Sequence, residues 1–167
     1  MSTDNKTQII DITLAPGDFF FGGGYRRIHT LLGSCVAITL WHPQKHIGGM
    51  CHYLLPTRGS NRTATSGHYA DETLEMFLDE IRRARTTPSE YEVKLFGGGN
   101  MFGLNNYKGT FPTVSQKNIE IGKKLLFQNG FSSLKSTDVE GVHHRKIYLE
   151  LWNGHVWVRR GHAVNNG

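Results

Sequence analysis

The sequence predicts a single domain of the α+β class, in which a sheet-rich body carries two main helices. Several short runs alternate apolar and polar residues, as strands with one buried face do. Two longer stretches place apolar residues at helical spacing. The 20 glycines among 167 residues indicate many tight loops between these elements. A chain of this length forms about one ordinary domain, and no internal repeat or linker divides the sequence.

The first half of the chain is predicted to be mainly strand. Residues 8–14 alternate as a strand requires, and Pro16-Gly17-Asp18 ends that run. An aromatic cluster at residues 19–21 is followed by a glycine turn at 22–24, and a further run leads to a bend at Gly33. The second and third predicted strands follow this bend, at residues 36–41 and 47–55.

Two helices are predicted, at residues 69–84 and 115–129. The first has apolar residues at helical spacing, acidic side chains in its first turn and arginines at its C-terminal end. The second has Ser115 as its candidate N-cap and Gly130 as its stop. Gly122 inside this helix costs about 1 kcal/mol against alanine, which predicts that another element packs closely against it.

The remaining strands are predicted in the second half of the chain. Residues 92–96 form a strand that ends at Gly97-Gly98-Gly99. Residues 146–152 and 155–159 flank Asn153-Gly154, a strong short signal for a hairpin turn. The C-terminal third of the chain is therefore predicted to be sheet.

The composition narrows the class of protein. No stretch approaches the ~20 apolar residues of a membrane span, and the polar N-terminal residues do not resemble a signal peptide. We therefore expect a cytoplasmic protein that does not insert into a membrane, with both cysteines as free thiols. The net charge of +5 indicates either a solvated basic surface or an acidic protein partner. The basic residues are spread along the chain without a nucleic-acid motif, so no nucleic-acid partner is predicted.

The most informative local feature is Gly33-Ser34-Cys35, where the glycine bend enters a predicted strand. His52 follows Cys35 by 17 positions and lies on the next predicted strand. A thiol is nucleophilic as thiolate, and a neighbouring histidine can take its proton and deliver it to a leaving group. The bend at Gly33 and Ser34 presents backbone N–H groups that can bind an oxyanion. The pattern predicts a Cys/His acyl-transfer site, whereas Cys51 is predicted to be structural.

Two alternatives use other features of the sequence. A zinc site could in principle gather Cys51, His52, His68, His143 and His144. No paired metal-ligand spacing supports that site, so neither a metal nor a cofactor is predicted. The glycines at 97–99 could cradle phosphate, but they lack both the dinucleotide and the P-loop spacing. Gly98 and Gly99 are therefore predicted to form a loop beside the active site, where Asn100 either contacts the substrate amide or caps a turn.

A series of motifs, in order along most of the chain, resembles the chemoreceptor glutamine deamidase (CheD) family. The motifs are Leu32-Gly33-Ser34-Cys35-Val36-Ala37, Gly49-Met50-Cys51-His52-Tyr53-Leu54-Leu55-Pro56, Tyr69-Ala70-Asp71, Gly97-Gly98-Gly99-Asn100-Met101-Phe102, Ile121-Gly122-Lys123-Lys124 and Val156-Trp157-Val158-Arg159-Arg160. The resemblance implies a compact α/β/β layered domain with a mostly antiparallel sheet. We expect this domain to span residues 8–160, between flexible segments at 1–7 and 161–167.

The resemblance also implies a cytoplasmic hydrolase of bacterial chemotaxis, a protein-glutamine glutaminase that converts receptor glutamines to glutamates and releases ammonia. Cys35 matches the family's nucleophile, which forms a thioester, and His52 matches its base. Thr30 is the implied third member of a Cys–His–Thr triad, and His29 occupies the alternative register. The segment from Asp138 to Arg145 departs from the glycine-rich segment that the family usually shows before an arginine.

Two functions from different classes follow from the resemblance. The first is an enzyme whose substrates are the cytoplasmic domains of chemoreceptors, with a CheC-type phosphatase as a possible further partner. The alternative is a non-catalytic chemotaxis adaptor that binds receptors or such a phosphatase. An adaptor would need none of Cys35, His52 and Thr30, so the geometry of these three residues discriminates between the two functions.

Overall fold

The computed structural model describes residues 8–60, 62, 64–101, 113–132 and 134–163. These residues form nine strands, two α-helices and a 3₁₀ turn at Pro88–Glu90. The strands are β1 (Ile10–Leu14), β2 (Phe19–Gly23), β3 (Arg26–Leu32), β4 (Val36–His42), β5 (Ile47–Cys51), β6 (Glu92–Gly97), β7 (Leu134–Val139), β8 (His143–Glu150) and β9 (Val156–Ala163). The helices are α1 (Ala70–Arg83) and α2 (Val114–Gln128). The predicted flexible segment 1–7 and the last four residues lie outside the described residues, so the predicted domain limits stay predictions.

The strands form two sheets of four and five strands. The four-stranded sheet has the order β1-β3-β8-β9, and the five-stranded sheet has the order β2-β5-β4-β6-β7. The pairs β1–β3 and β6–β7 are parallel, and the other named pairs are antiparallel. The predicted α+β class, with a mostly antiparallel sheet and two main helices, is confirmed.

Two hydrophobic clusters divide the domain into three layers. One cluster joins both helices to the five-stranded sheet, through residues such as Phe77 of α1 and Leu95 of β6. The second lies between the two sheets and includes Ile28 and Ile147 from the four-stranded sheet. The five-stranded sheet is therefore buried on both faces and forms the middle of the α/β/β arrangement.

Strand β4 shows how the alternation in the sequence produces these layers. Val36 and Ile38 belong to the cluster under the helices, whereas Ala37 and Trp41 pack in the cluster between the sheets. Side chains along a strand alternate between the two faces of its sheet, so one strand contributes to both clusters. The bend that carries Cys35 leads directly into this central strand.

The aromatic cluster at residues 19–21 belongs to a strand rather than only preceding a turn. Strand β2 pairs antiparallel with β5, and Phe19 lies opposite Cys51. Phe19 and Phe21 pack under the helices, and Phe20 packs between the sheets. Because both faces are apolar, the segment lacks the alternation that marks a half-buried strand.

The predicted N-cap of the second helix is wrong. The cap is Thr113, whose Oγ1 accepts a hydrogen bond from the backbone N–H of Gln116 at 3.2 Å. Ser115 lies within the first turn, and its hydroxyl donates to the carbonyl of Gly99 at 3.0 Å. Ser115 thus ties the start of α2 to the glycine loop after β6, which is a tertiary role that a local capping pattern does not reveal.

The close packing predicted at Gly122 is confirmed. A Cβ atom at this position would lie 2.5 Å from the phenolic oxygen of Tyr53. The Tyr53 hydroxyl donates to the carbonyl of Asn118 at 2.5 Å, and the Asn118 amide donates to the carbonyl of Leu54 at 2.7 Å. These contacts hold α2 against the segment that follows β5, which is the segment that carries His52.

Candidate active site

Cys35 directly precedes β4, and His52 directly follows β5, which ends at Cys51 rather than continuing to residue 55 as predicted. Val36 and Tyr53 exchange two backbone hydrogen bonds, with N···O distances of 3.1 and 2.9 Å. This antiparallel bridge places the start of β4 beside the residues that follow β5. The half-buried Cys35 packs against the cluster between the sheets, and the His52 ring also points toward the four-stranded sheet. The two side chains therefore share one face of the sheet.

Thr30 reaches His52 from the other sheet. Its Oγ1 lies 2.7 Å from Nδ1 of His52, and both residues are buried. Alternation along β3 places Ile28, Thr30 and Leu32 on the buried face of the four-stranded sheet. The hydrogen bond between Thr30 and His52 thus bridges the two sheets at the edge of the cluster between them.

The hydrogen bonds of Thr30 fix the tautomer of His52. The Thr30 hydroxyl donates its single proton to the carbonyl of Leu14, at an O···O distance of 2.8 Å. It can therefore only accept from His52, so the proton of the neutral imidazole is on Nδ1. The other ring nitrogen, Nε2, then carries a free lone pair. This nitrogen is buried and has no hydrogen-bond partner among the described residues.

Burial keeps both groups of the pair neutral in the resting protein. Loss of hydration lowers the pKa of His52 to about 4, because the buried imidazolium is poorly solvated. Burial also raises the pKa of the Cys35 thiol, although a hydrogen bond with the Ser34 side chain opposes this effect. Near neutral pH the site therefore holds a thiol and a neutral imidazole that is available as a base.

The predicted glycine loop lies directly against the bend that carries Cys35. Gly98 N–H donates to the Cys35 carbonyl at 2.8 Å, and Gly99 N–H donates to the Gly33 carbonyl at 2.9 Å. Gly97 and Gly98 have φ angles of +105° and +64°, in the left-handed region that favours glycine. A Cβ atom at Gly97 would also lie 2.2 Å from the Cys35 carbonyl oxygen. Only glycine at this position lets the loop approach the bend so closely.

Asn100 follows this loop and is held at its backbone. Its N–H donates to the carbonyl of Gly141 at 2.7 Å. Asn100, Gly98 and Ser115 line a cavity of about 240 Å³ between the loop, the start of α2 and residues 140–141. The predicted contact between Asn100 and a substrate amide remains a prediction.

His29 and Cys51 lie away from the Cys35–His52 pair. His29 is on the outer face of the four-stranded sheet, where its Nε2 lies 3.0 Å from Thr13 Oγ1 and its ring stacks on Tyr148. Cys51 is fully buried under the helices, where burial raises the pKa of its thiol to about 12. The structure thus brings Thr30 to His52 and leaves His29 on the opposite face.

The histidines considered for zinc are not gathered. Within the part of the chain that the structure describes, no group of three or more histidine, cysteine or acidic residues could hold a metal ion. His143 Nδ1 lies 3.1 Å from the carbonyl of Gly161, and His68 Nδ1 lies 3.0 Å from the hydroxyl of Ser66.

The described helices include none that is long and apolar enough to cross a membrane.

The roles of two residues at the site were not predicted from the sequence. The Leu14 carbonyl sets the direction of the Thr30 hydroxyl, but a backbone acceptor in another strand leaves no signal in a sequence. Arg145 is buried and donates to the carbonyl of Gly97 at 2.7 Å. Its position did carry a signal, because Arg145 alternates with the inward-facing Ile147 and Leu149 along β8.

Comparisons with known proteins point to one family. The family model described as "CheD chemotactic sensory transduction" matches residues 54–160. The protein named "Probable chemoreceptor glutamine deamidase CheD" of Pseudomonas syringae pv. tomato is 44% identical over 150 residues, which cover 90% of this chain and 89% of that protein. A protein of Dechloromonas aromatica named "Probable chemoreceptor glutamine deamidase CheD 3" is 42% identical and covers 91% and 88% of the two chains.

Similarity to solved structures is weaker. The crystal structure of Bacillus licheniformis hypothetical protein YfiH superimposes with a TM-score of 0.45 at 13% identity. The superposition covers 74% of this chain and 49% of that chain.

Proposed function

The chain belongs to the CheD family, and on that premise we propose that it deamidates glutamine side chains of chemoreceptors with Cys35 as its nucleophile. The names of its relatives support a glutamine deamidase. The observation that carries the chemical part of the proposal is the bond between Thr30 and His52, which leaves Nε2 of His52 as a free base on the face that Cys35 shares. A non-catalytic adaptor would not require this arrangement.

The first half of the reaction forms a thioester. His52 Nε2 takes the thiol proton while the Cys35 sulfur bonds to the carbonyl carbon of the substrate amide. Backbone N–H groups at Ser34 and Cys35 stabilise the resulting oxyanion. The imidazolium then returns the proton to the amide nitrogen, the C–N bond breaks, and ammonia leaves.

The second half of the reaction hydrolyses the thioester. His52 Nε2 takes a proton from water while the water oxygen bonds to the thioester carbon. The C–S bond breaks, the sulfur recovers a proton from the imidazolium, and the product is a glutamate side chain. Thr30 accepts from Nδ1 throughout, so the ring keeps Nε2 directed at the reacting atoms.

The proposed substrates are the cytoplasmic domains of chemoreceptors, and a CheC-type phosphatase is a further proposed partner. Both cysteines are free thiols, as expected in a reducing compartment. We therefore propose that the enzyme acts in the cytoplasm.

The decisive experiment incubates the pure protein with a receptor cytoplasmic fragment and maps converted glutamines by peptide mass spectrometry, with free ammonia measured in parallel. Ammonia release without a glutamine-to-glutamate change in the receptor would contradict the proposed substrate.

The role of Thr30 leads to a prediction that separates it from His29. Thr30→Val keeps the shape of the side chain but removes the acceptor for His52 Nδ1–H, so the ring can tilt or change tautomer. We expect turnover to fall about 10- to 1000-fold, while Thr30→Ser keeps most of it. His29→Ala should change turnover less than about threefold, because surface substitutions away from the site have small effects. Turnover of folded variants on one receptor fragment gives the ranking, and the reverse order would move the third role to His29.

The low pKa of His52 leads to a prediction on pH. The base must be unprotonated, and burial places its pKa at about 4 rather than near 6.5. We therefore expect kcat/KM to change little between about pH 7.5 and pH 6, and to decline only as the pH approaches the pKa of His52. The test measures kcat/KM across this range on a receptor fragment whose helicity is checked at each pH. A loss of half the activity near pH 6.5 would contradict the buried neutral base.

A further inference from the structure

A buried arginine lies behind the glycine loop of the candidate site. Arg145 is 3% exposed and projects from β8 into the space between the sheets. Its Nη1 donates to the Gly97 carbonyl at 2.7 Å, its Nη2 donates to the Glu140 carbonyl, and its Nε lies 3.0 Å from a carboxylate oxygen of Asp138. Burying a guanidinium is costly unless its charge is paired. Asp138 supplies the opposite charge, and the two carbonyls accept hydrogen bonds from Nη1 and Nη2.

The Gly97 carbonyl, which accepts from Arg145, lies at the start of the glycine loop at 97–99. This loop contacts the bend that carries Cys35. The Gly97 carbonyl also accepts from Glu140 N–H at 3.0 Å, so it is fixed from two directions. The next two residues donate to the carbonyls of Cys35 and Gly33. Hydrogen bonds at the two ends of this loop and the backbone of residues 97–99 therefore connect Arg145 to both sides of Ser34.

These bonds determine where the amide of Ser34 points. In a trans peptide the C=O and N–H groups point in opposite directions. The Gly33 carbonyl points at the glycine loop, so Ser34 N–H, in the same peptide plane, points away from the loop. The structure records no acceptor among the described residues for the N–H groups of Ser34 and Cys35. An oxyanion site requires free donors, and Ser34 N–H is such a donor held in a fixed orientation.

We propose that Arg145 is a positioning residue, which fixes the Ser34 N–H, a donor to the oxyanion, through the glycine loop at 97–99. Arg145 does not touch the substrate in this proposal, and Asp138 holds its guanidinium in place. The proposal deepens the proposed deamidase function and rests on it. Its consequence is that loss of Arg145 lowers the rate of the chemical step, in which the oxyanion forms, more than it changes substrate binding or the reactivity of the thiol.

The test compares Arg145→Gln with a matched control at Arg160. The exposed Arg160 contacts the other carboxylate oxygen of Asp138, so Arg160→Gln removes a cation from the same carboxylate without touching the glycine loop. Active sites are first counted by stoichiometric alkylation of Cys35 with iodoacetamide, a reaction that forms no oxyanion. Then kcat per counted site and KM are measured on one receptor fragment.

For Arg145→Gln we expect kcat per counted site to fall about 10- to 100-fold, with KM and the rate constant of Cys35 alkylation within about threefold of wild type. Arg160→Gln should keep kcat within about twofold, as most surface changes do. Arg145→Lys keeps the charge and one donor to Gly97, so it should recover part of the loss. It also carries the test if Arg145→Gln does not fold.

Two results would overturn this proposal while leaving the deamidase intact. One is a normal kcat per counted site in the Arg145 variants, with only the number of sites reduced, since that describes a purely structural role. The other is an equal loss of kcat in the Arg145 and Arg160 variants. A wild-type protein with a reactive Cys35 but no deamidation of receptor would instead overturn the proposed function itself, and this proposal with it.

Discussion

Replacing Cys35 by serine is expected to reduce turnover on a receptor fragment by about 10⁴-fold or more, while the protein remains folded. A serine hydroxyl is a far weaker acid than a thiol, and the neutral imidazole of His52 offers it only modest assistance. Cys35 is half-buried in the bend before β4, so exchanging sulfur for oxygen should cost less than about 1 kcal/mol of stability. Turnover is measured beside the midpoint of thermal unfolding.

Cys51 provides the matched control, because it is the second free thiol of the chain. Its sulfur is buried under the helices and accepts a hydrogen bond from Ile38 N–H at 3.4 Å. Cys51→Ala should lower stability by about 1 kcal/mol and leave turnover within about twofold of wild type. Iodoacetamide should label Cys35 well before Cys51 in the folded protein. Substantial activity in Cys35→Ser, or equal labelling of both thiols, would contradict the assignment of the nucleophile.

Sequence patterns predicted the elements that are marked by local signals. Helix α1 begins and ends within one residue of its predicted limits, because its apolar face, acidic first turn and terminal arginines are all local signals. Strand β7 was not predicted as a separate element. Its residues 134–137 are exposed at the edge of the five-stranded sheet, and its parallel pairing with β6 depends on a partner far away in sequence. Alternation cannot mark a strand that has no buried face.

The candidate site shows the same division between local and long-range information. The motif around Cys35 and the histidine that follows it are local features, and the family resemblance added their roles. The choice between Thr30 and His29 needed the fold, since alternation states only that one of them faces inward. The tautomer of His52 depends on the carbonyl of Leu14, which β1 supplies by pairing in parallel with β3.

The neutral resting state has a consequence for selectivity. A thiol whose pKa is raised by burial reacts more slowly than an exposed thiol with general alkylating or oxidising agents near neutral pH. In the proposed mechanism the same thiol attacks a bound amide while His52 Nε2 takes its proton. A buried base would therefore let the protein hold a cysteine that reacts mainly with a bound substrate.

Replacing His52 by glutamine is expected to lower turnover about 10³- to 10⁴-fold, because the variant loses both the base for the thiol and the acid for departing ammonia. Glutamine fills much of the space of the ring and can still bond to Thr30, so the fold should persist. His68→Gln is the matched control. His68 is exposed and bonded to Ser66, and its loss should change turnover less than about threefold.

A second measurement on the same variant tests the cause of the low pKa. In the folded protein the pKa of His52 is about 4, whereas in the unfolded chain it lies near 6.5, so the unfolded state binds more protons between these values. His52 therefore costs wild-type stability as the pH falls from about 6.5 toward 4, by up to about 3 kcal/mol. The free energy of unfolding of wild type and His52→Gln is measured with denaturant across this pH range. We expect it to fall more steeply with decreasing pH in wild type than in the variant. Identical pH dependence of the two unfolding free energies would mean that His52 is not a buried neutral base, and a variant that keeps its turnover would remove it from the mechanism.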